Sequence, residues 1–408
     1  MVKLEDYKEF AEPRALDRIR KLAAKLQGKK ILMVSSTNQA GGVAELLNSL
    51  VPLLNDLGVK TEWKLLTGDG SFFTITKRIH NFLQGEKGRL TSEEKQAYLE
   101  TNRVFAGNTN FSPYDLVVVH DPQPLPLINF VKHSCPWILE LHLDLTAPEP
   151  AVLEFISKFT RKYDELVLSH EDFVKTSLGA AQRVFPPAID PLSEKNQDLS
   201  PAAILASLRK RRVSVAKPII AQVSRFDKWK DPLGVIKIFE LIRAGMDCEL
   251  VLLGSFASDD PEGQAVYDQV RDAASKSQYR DDIKIILVHD PIFTNALQRA
   301  ARVVIQKSIR EGFGLIVSEA LFKQTPVVAS NTGGIKLQVV GGRNGYLHDP
   351  DDLRGFARDT VKILKDDDLR SRLGQNGRRR VTSNFLMPRL LLDWLNLFNR
   401  HLIKYGRK

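Results

Sequence analysis

The chain has 408 residues, 43% hydrophobic and 26% charged, with a formal net charge of +10. That length predicts two domains or three, and the composition is that of a soluble globular protein. No run approaches the roughly 18 consecutive apolar residues of a membrane span, the charged N-terminus "MVKLEDYKEFAEPRALDRIR" has no apolar core of a secretion signal, and no nucleic-acid module signature accompanies the positive charge.

Residues 1–28 read as an exposed helix. "KKILMVSS" has strand length, "NQAGG" follows, and "VAELLNSLVPLLNDLG" carries apolar residues at helical spacing until Gly58 stops it. "VKTEWKLL" reads as a strand, "FFTITKRIHNFLQG" and "TSEEKQAYLETNRVF" as helices, and "YDLVVVHDPQP", "PWILELHLD" and "DELVLSH" as strands running into polar loops. "FPPAIDPLSEKNQDLSP" is rich in proline and polar residues and reads as a linker. The pattern then restarts. "KPIIAQVSRFD", "CELVLLGS", "DIKIILVHD", "RVVIQKS" and "PVVAS" read as strands. "DPLGVIKIFELIRAG", "PEGQAVYDQVRDAASKS", "NALQRA" and "GFGLIVSEALFKQ" are the helices between them, and "FLMPRLLLDWLNLFNRHLIKYG" is a last apolar-faced helix. Strands alternating with helices predict parallel sheets covered on both faces. The fold class is therefore α/β, with two doubly wound, Rossmann-like domains expected over 1–195 and 215–385 and a terminal helix over 386–408.

Cys135 and Cys248 lie in or beside apolar runs and are expected to be buried thiols of a reducing cytoplasm. The basic runs Arg209–Arg212 and Arg378–Arg380 lack interleaved aromatics and are expected to be solvated surface. A small anionic substrate accounts for the excess of positive charge at least as well as a weak membrane-surface role does.

Ligands of open α/β sheets bind beyond the carboxyl ends of the strands, where the two domains are expected to face across a cleft. Four strand ends carry chemistry. Gly41 and Gly42 follow a strand and open a helix, which suits a backbone approach to phosphate, although two glycines are equally a tight turn. The spacing is neither G-x-G-x-x-G nor a P-loop, which disfavours dinucleotide oxidoreductases and NTPases. Arg225 and Lys230 in "SRFDKWKD" can clamp a diphosphate, one as a fork and one as a point charge. His142 and Asp144 in "LHLDLTAP" end an apolar strand, and no Cys, His or carboxylate set elsewhere in the sequence completes a metal site with them. The pairs Asp349/Asp351 and Asp366/Asp368 read as helix caps rather than Mg²⁺ ligands.

The fourth strand end, "SIREGFGLIVSEA", sets Glu311 and Glu319 eight residues apart. The first free amides of its helix, around 314–316, form an anion site. Glu311 lies just outside, and Glu319 lies about 7–8 Å along the axis. A sugar–diphosphate–nucleoside ligand fits this ruler, with Glu311 on sugar hydroxyls and Glu319 on ribose hydroxyls, since carboxylates accept well from vicinal diols.

"REGFGLIVSEA", "SRFDKWK", "AGGV" and "LHLD" resemble the motifs of the retaining GT-B glycosyltransferases of family 4. The resemblance spans essentially the whole chain, including the linker and a C-terminal helix that returns to the first domain. "FFTITKRIHNFLQG", "VHDPQPLPLI", "FPPAIDPLSEKN", "QVSRFDKWKD", "DDPEG" and "QKSIREGFGL" are further similar to the trehalose-forming glycosyltransferring synthases. Asp231 departs from that pattern, standing where a glycine is common, and the loop after residue 86 is variable. The resemblance implies a GT-B fold with an N-terminal acceptor domain and a C-terminal donor domain. It implies a retaining transferase that joins glucose from an ADP- or UDP-glucose donor to free glucose in α,α-trehalose. Arg225 and Lys230 would neutralise the leaving diphosphate, and Glu311 would hold the donor sugar. Phe313, Gly314 and Leu315 would supply backbone contacts, and Glu319 would bind ribose. Gly42 would contact phosphate or acceptor, His142 would sit near the donor sugar and Asp121 at the acceptor side. No cofactor is expected; a metal is not required, Mg²⁺ being at most stimulatory. The expected partners are a nucleotide sugar and glucose or trehalose, with no nucleic acid; a membrane is not favoured and a homodimer is left open. The rivals are a retaining trehalose phosphorylase, another family-4 transferase with a different acceptor, and a non-catalytic sugar-nucleotide sensor.

Overall fold

The computed structural model describes residues 2–38, 41–256 and 262–405. The motif "AGGV" is therefore described from Gly41 onward, and residues 259–261 of "DDPEG" lie outside the described residues. Two units are distinct: 2–188 with 387–405, and 189–256 with 262–386.

The first unit runs α1 (Pro13–Ala24), β1 (Lys30–Ser35), α2 (Gly42–Asp56), β2 (Lys60–Leu65), α3 (Gly70–Leu83), α4 (Ser92–Gly107), β3 (Leu116–His120), β4 (Trp137–Leu141), α5 (Pro150–Thr160), β5 (Glu165–Leu168) and β6 (Ala181–Val184). Its six strands pair in the order β2-β1-β3-β4-β5-β6, all parallel. Every residue of β3 and β4 is buried, as their unbroken apolar runs require of a sheet covered on both faces. The strand β6, "AQRV", is short and polar and carries no periodic signal; the sheet edge makes it a strand by pairing it with β5. Residues 2–28 are less exposed than expected. α1 buries Leu16, Ile19 and Ala23.

The second unit continues with α6 (Pro201–Lys210), β7 (Ile219–Val223), α7 (Pro232–Arg243), β8 (Glu249–Gly254), α8 (Gly263–Lys276), β9 (Ile283–Leu287), α9 (Pro291–Ala300), β10 (Val303–Gln306), α10 (Leu315–Phe322), β11 (Val327–Ser330), α11 (Ile335–Gln338), β12 (Gly345–His348), α12 (Leu353–Lys365) and α13 (Asp367–Asn384). Its sheet order is β12-β11-β10-β7-β8-β9, again parallel throughout. The expected linker 185–201 carries no helix among its described residues until α6 opens at Pro201. Ser200 caps α6 by accepting from the Ala203 amide at 3.2 Å, and α6 packs on α9 inside this unit. The division between units thus falls at 188/189, before the expected boundary at 195.

α14 (Met387–Tyr405) belongs with the first unit. It lies on α1, where Asn399 Nδ2 donates to the Leu22 carbonyl at 3.0 Å, and it buries Trp394 completely against Phe185 and Phe398. Glu165 fixes it to the sheet. That carboxylate takes Arg183 Nε at 3.0 Å, lies 2.7 Å from His401 Nε2, and also takes Arg400. Burial alone would raise its pKa, yet the hydrogen bonds from His401, Arg400 and Arg183 hold it down at about 2. A carboxylate depressed on folding stabilises the protein above its unfolded pKa of about 4.3, and that contribution is lost as pH falls toward the folded value. Glu165→Gln is therefore expected to be less stable than the parent at pH 6, with the gap closing between pH 4.5 and 2 in urea melts. A gap independent of pH would show that the network contributes no charge-dependent stability.

The basic runs are more engaged than solvated surface would be. Arg211 pairs with Asp290 at 3.2 Å. Arg378 stacks over the Phe322 ring at 4.6 Å and donates to the Phe322 carbonyl at 3.1 Å, while Arg380 Nε donates to the Leu337 carbonyl at 3.0 Å. Cys135 and Cys248 are buried free thiols, and burial pushes both up to about 11. Asp366 caps α13 through the Leu369 amide, whereas α12 is capped by Asp352 rather than by Asp349 or Asp351. Among the described residues no helix is long and apolar enough to cross a membrane.

Candidate active site

In each sheet the strand order reverses once. The reversal lies between β1 and β3 in the first unit and between β7 and β10 in the second. A reversal point leaves a crevice at the carboxyl ends, because the helices that follow its two strands turn to opposite faces. Arg225 and Lys230 follow β7 and Glu311 follows β10, so the second unit's candidate residues come from the two strands at its reversal point.

They meet there. Lys230 Nζ lies 2.6 Å from Glu311 Oε2, and Ser308 Oγ at 2.9 Å and Gln306 Nε2 at 3.3 Å donate to the same oxygen. Glu311 is 7% and Lys230 18% exposed in their side chains, so this ion pair is mostly withdrawn from water. Residue assignments made from the sequence put these two on different parts of a ligand; the structure has them in contact. Arg225 lies on the same loop, its Nη2 3.7 Å from Asp227 Oδ2.

Asp231 explains its own departure from the family pattern. Its backbone is left-handed, at φ 42° and ψ 58°, a conformation that favours glycine. Aspartate tolerates it better than most residues and adds two contacts that glycine cannot. Oδ1 accepts from the Gly234 amide at 2.9 Å to cap α7, and Oδ2 takes Lys307.

α10 begins at Leu315, behind Gly314 at φ 83°. A Cβ at Gly314 would also come within 3.2 Å of Glu311 Cγ, so the turn and the carboxylate's position depend on the same glycine. Helix starts leave amides without intrahelical carbonyls and favour anions, and this start stands directly after Glu311. Phe313 is buried, edge-on to Phe385 at 5.5 Å, and its carbonyl takes Gln338 Nε2 at 2.6 Å. Glu319 lies on the same helix but is 1% exposed. Lys195 Nζ sits 2.9 Å from Oε1 and Gln298 Nε2 donates to Oε2 at 3.2 Å. Both oxygens that the sequence assigned to ribose are taken up by protein groups.

In the first unit, Gly42 opens α2 behind Gly41, whose φ of 120° is again a glycine conformation. Asp121 follows β3 at φ 67° and its Oδ1 accepts the His142 backbone N–H at 2.8 Å. That bond ties the ends of β3 and β4 together. His142 Nε2 lies 3.4 Å from Glu140 Oε2. Burial by itself would lower the His142 pKa, but the carboxylates of Glu140 and Asp121 raise it to about 9. Glu140 responds in the opposite sense: burial would raise it, and His142 and His120 hold it at about 2. Burial pushes Asp121 up, against the pull of His142. Asp144 is fully buried and accepts from the Thr146 amide at 2.8 Å, a structural turn.

In the sequence alone, His142 has no evident partners for a metal. The sheet supplies two, His120 and Glu140, each of which the sequence had shown only as part of an apolar strand. His120 and Glu140 are register partners across β3 and β4. The "VHDP" and "ELHLD" strand ends were the available signal.

Transfer of a sugar away from an anionic leaving group asks for a carboxylate to hold the sugar and cations to meet the anion. On two doubly wound parallel units, that combination defines the GT-B glycosyltransferases. Residues 33–175 match the family "Trehalose synthase, N-terminal domain" and residues 206–380 match "Glycosyl transferases group 1". The chain is 40% identical to the trehalose synthase of Thermococcus litoralis over 97% of both chains. It is 30% identical to the trehalose phosphorylase of Pleurotus pulmonarius over 97% of this chain and 60% of that one. Among solved structures, an α,α-trehalose-phosphate synthase (UDP-forming) from Burkholderia xenovorans superposes with a TM-score of 0.75 at 14% identity, over 92% of this chain and all of the other. The chain belongs to the trehalose synthase family of glycosyltransferases, and it is an enzyme of that class.

Proposed function

We propose that this enzyme moves glucose, with retention, from ADP- or UDP-glucose to free glucose to form α,α-trehalose, reversibly and in the cytoplasm. The observation that carries the reading is the Lys230–Glu311 pair at the β7/β10 reversal point, beside the start of α10. One group there suits sugar hydroxyls and the other suits the phosphate that leaves.

In the forward direction the bond between the donor's anomeric carbon and the β-phosphate oxygen breaks. A bond from the same carbon to the O1 of glucose forms on the same face. The acceptor's proton passes to the departing phosphate oxygen, leaving nucleoside diphosphate. Charge accumulates on that diphosphate, and Arg225, Lys230 and the amides of Gly314 and Leu315 are placed to meet it. Glu311 holds the sugar ring, with Phe313 contributing backbone. From the first unit, His142 is assigned to the donor sugar, Asp121 to the acceptor and the Gly42 amide to phosphate or acceptor. Glu319 reaches ribose hydroxyls by exchanging Lys195 or Gln298 for them. Cations and helix dipoles carry the leaving-group charge, so the reaction does not require a metal. This differs from glycosidases, in which two carboxylates flank the scissile bond.

The test is product analysis. The enzyme is incubated with ADP-glucose or UDP-glucose and with unlabelled glucose, with and without a chelator. Trehalose together with nucleoside diphosphate, made in chelator as well, is the expected result. A second reading, trehalose phosphorylase, is favoured by the 30% identity to such an enzyme. Glucose 1-phosphate formed from trehalose and phosphate with no nucleotide would establish it and overturn the first.

A further inference from the structure

The proposed transfer uses His142 but has no work for His120 or Glu140. All three sit at the carboxyl ends of β3 and β4, and three of their atoms converge. His120 Nδ1 and Glu140 Oε2 are 3.1 Å apart, His142 Nε2 and Glu140 Oε2 3.4 Å, and the two nitrogens 3.3 Å. A tetrahedral ion bound at about 2.0–2.1 Å has ligand-to-ligand edges of about 3.3–3.4 Å. The observed triangle is close to one face of that tetrahedron.

The surroundings suit an ion better than a simple hydrogen-bonded cluster. The Glu140 side chain is 3% exposed, and its Oε2 faces two ring nitrogens within 3.4 Å, neither in good hydrogen-bond geometry. A buried carboxylate oxygen in that position costs free energy unless something satisfies it. A cation among the three lone pairs would do so. The ligand positions are built in beforehand. His120 and Glu140 are paired across adjacent strands, and Asp121 fixes the His142 backbone. His120 is fully buried, while His142 keeps 12% exposure and gives the cluster a side open to water.

We propose that the first unit holds a zinc-class ion on His120 Nδ1, His142 Nε2 and Glu140 Oε2, with a fourth position open to water. Two imidazoles and one carboxylate are a borderline donor set, which selects zinc and its neighbours over Mg²⁺ or Ca²⁺. The ion would tie β3 to β4 and fix the tautomer of His142. The inference does not depend on which sugar the enzyme transfers.

The full chain is stripped with chelator, dialysed against ZnCl₂ and then against metal-free buffer, and its metal content measured. About one zinc per chain is expected, with X-ray absorption fine structure showing two imidazole nitrogens and a carboxylate oxygen. Co²⁺ in its place is expected to give the intense visible bands of a four-coordinate ion. Glu140→Gln and His120→Ala should each weaken zinc binding by roughly a hundredfold or more, beyond the 10–100-fold typical of outer-sphere partners, while His289→Ala, at an exposed histidine, should not. Parent protein that retains no zinc, a different donor set in the absorption spectrum, or unchanged affinity in Glu140→Gln would overturn the proposal. Should either variant fail to fold, the spectrum of the parent protein decides alone.

Discussion

Lys230→Ala is expected to lower kcat by about 30- to 1,000-fold, the range of about 2–4 kcal/mol seen when one preorganised electrostatic contact is lost. Arg225→Ala is expected to fall in the same range with little change in thermal stability, whereas Lys230→Ala, which takes the countercharge away from the mostly buried Glu311, should also lower it. The Lys230–Glu311 contact at 2.6 Å adds a sharper expectation. Removing Lys230 also leaves Glu311 without its charge partner, so part of the loss is inflicted through the carboxylate. In a double-mutant cycle, Lys230→Ala with Glu311→Gln should cost clearly less than the two single losses added together. Arg225→Ala with Glu311→Gln should lie nearer to additivity. Near-normal turnover in both Arg225→Ala and Lys230→Ala would remove these cations from the leaving-group site.

The second large effect separates the two glutamates of the stretch 308–320. Glu311→Gln should depress kcat while nucleoside diphosphate still binds within a few-fold of the parent, measured by calorimetry. Glu319→Ala should weaken nucleoside diphosphate and raise KM for the nucleotide sugar more than it lowers kcat, as loss of uniform binding does. The structure attaches a second consequence to Glu319. Lys195, 17% exposed, loses its carboxylate and Gln298 its acceptor, so the variant should also unfold more readily, by about 1–3 kcal/mol. Destabilisation with unchanged nucleotide affinity would mean that Glu319 serves the internal network alone. The reverse assignment, with Glu311 controlling nucleotide affinity, would mean that the ligand runs the other way along α10.

What the sequence revealed and withheld follows from the range of the interactions. Five strands of each sheet announced themselves through local signals, as apolar runs of strand length set between helical spacing and glycine stops, and so did α10 and the loop after β7; the edge strands β6 and β12 did not. Side-chain partnerships across long sequence distances did not. Glu311 and Lys230 were each legible as ligand-binding groups, but their contact exists only because β7 and β10 are neighbours. Glu319 read as an exposed diol acceptor because its helix position was legible and Lys195, on a proline-rich segment read as linker, was not. His120 and Glu140 lie within strand stretches read as apolar runs, and only the parallel register sets them side by side. Asp231 shows the opposite case: its departure from glycine was visible in the sequence, and only the backbone angle explains why so few residues fit there.

The first unit's dependence on α14 has a consequence during synthesis. Every other described residue of that unit is made by Ala188, but α14 starts at Met387, after the 198 residues of 189–386. At about 5–20 residues per second, the ribosome takes roughly 10–40 s to cover that distance. For that interval α1 and the chain around Phe185 have no Trp394 and no Phe398 to cover them. A nascent chain halted after residue 188 should therefore recruit holding chaperones and be cut readily by protease, and release of the finished chain should end both. The second unit, uninterrupted by the first among the described residues, has no such delay and can fold as soon as α13 leaves the ribosome.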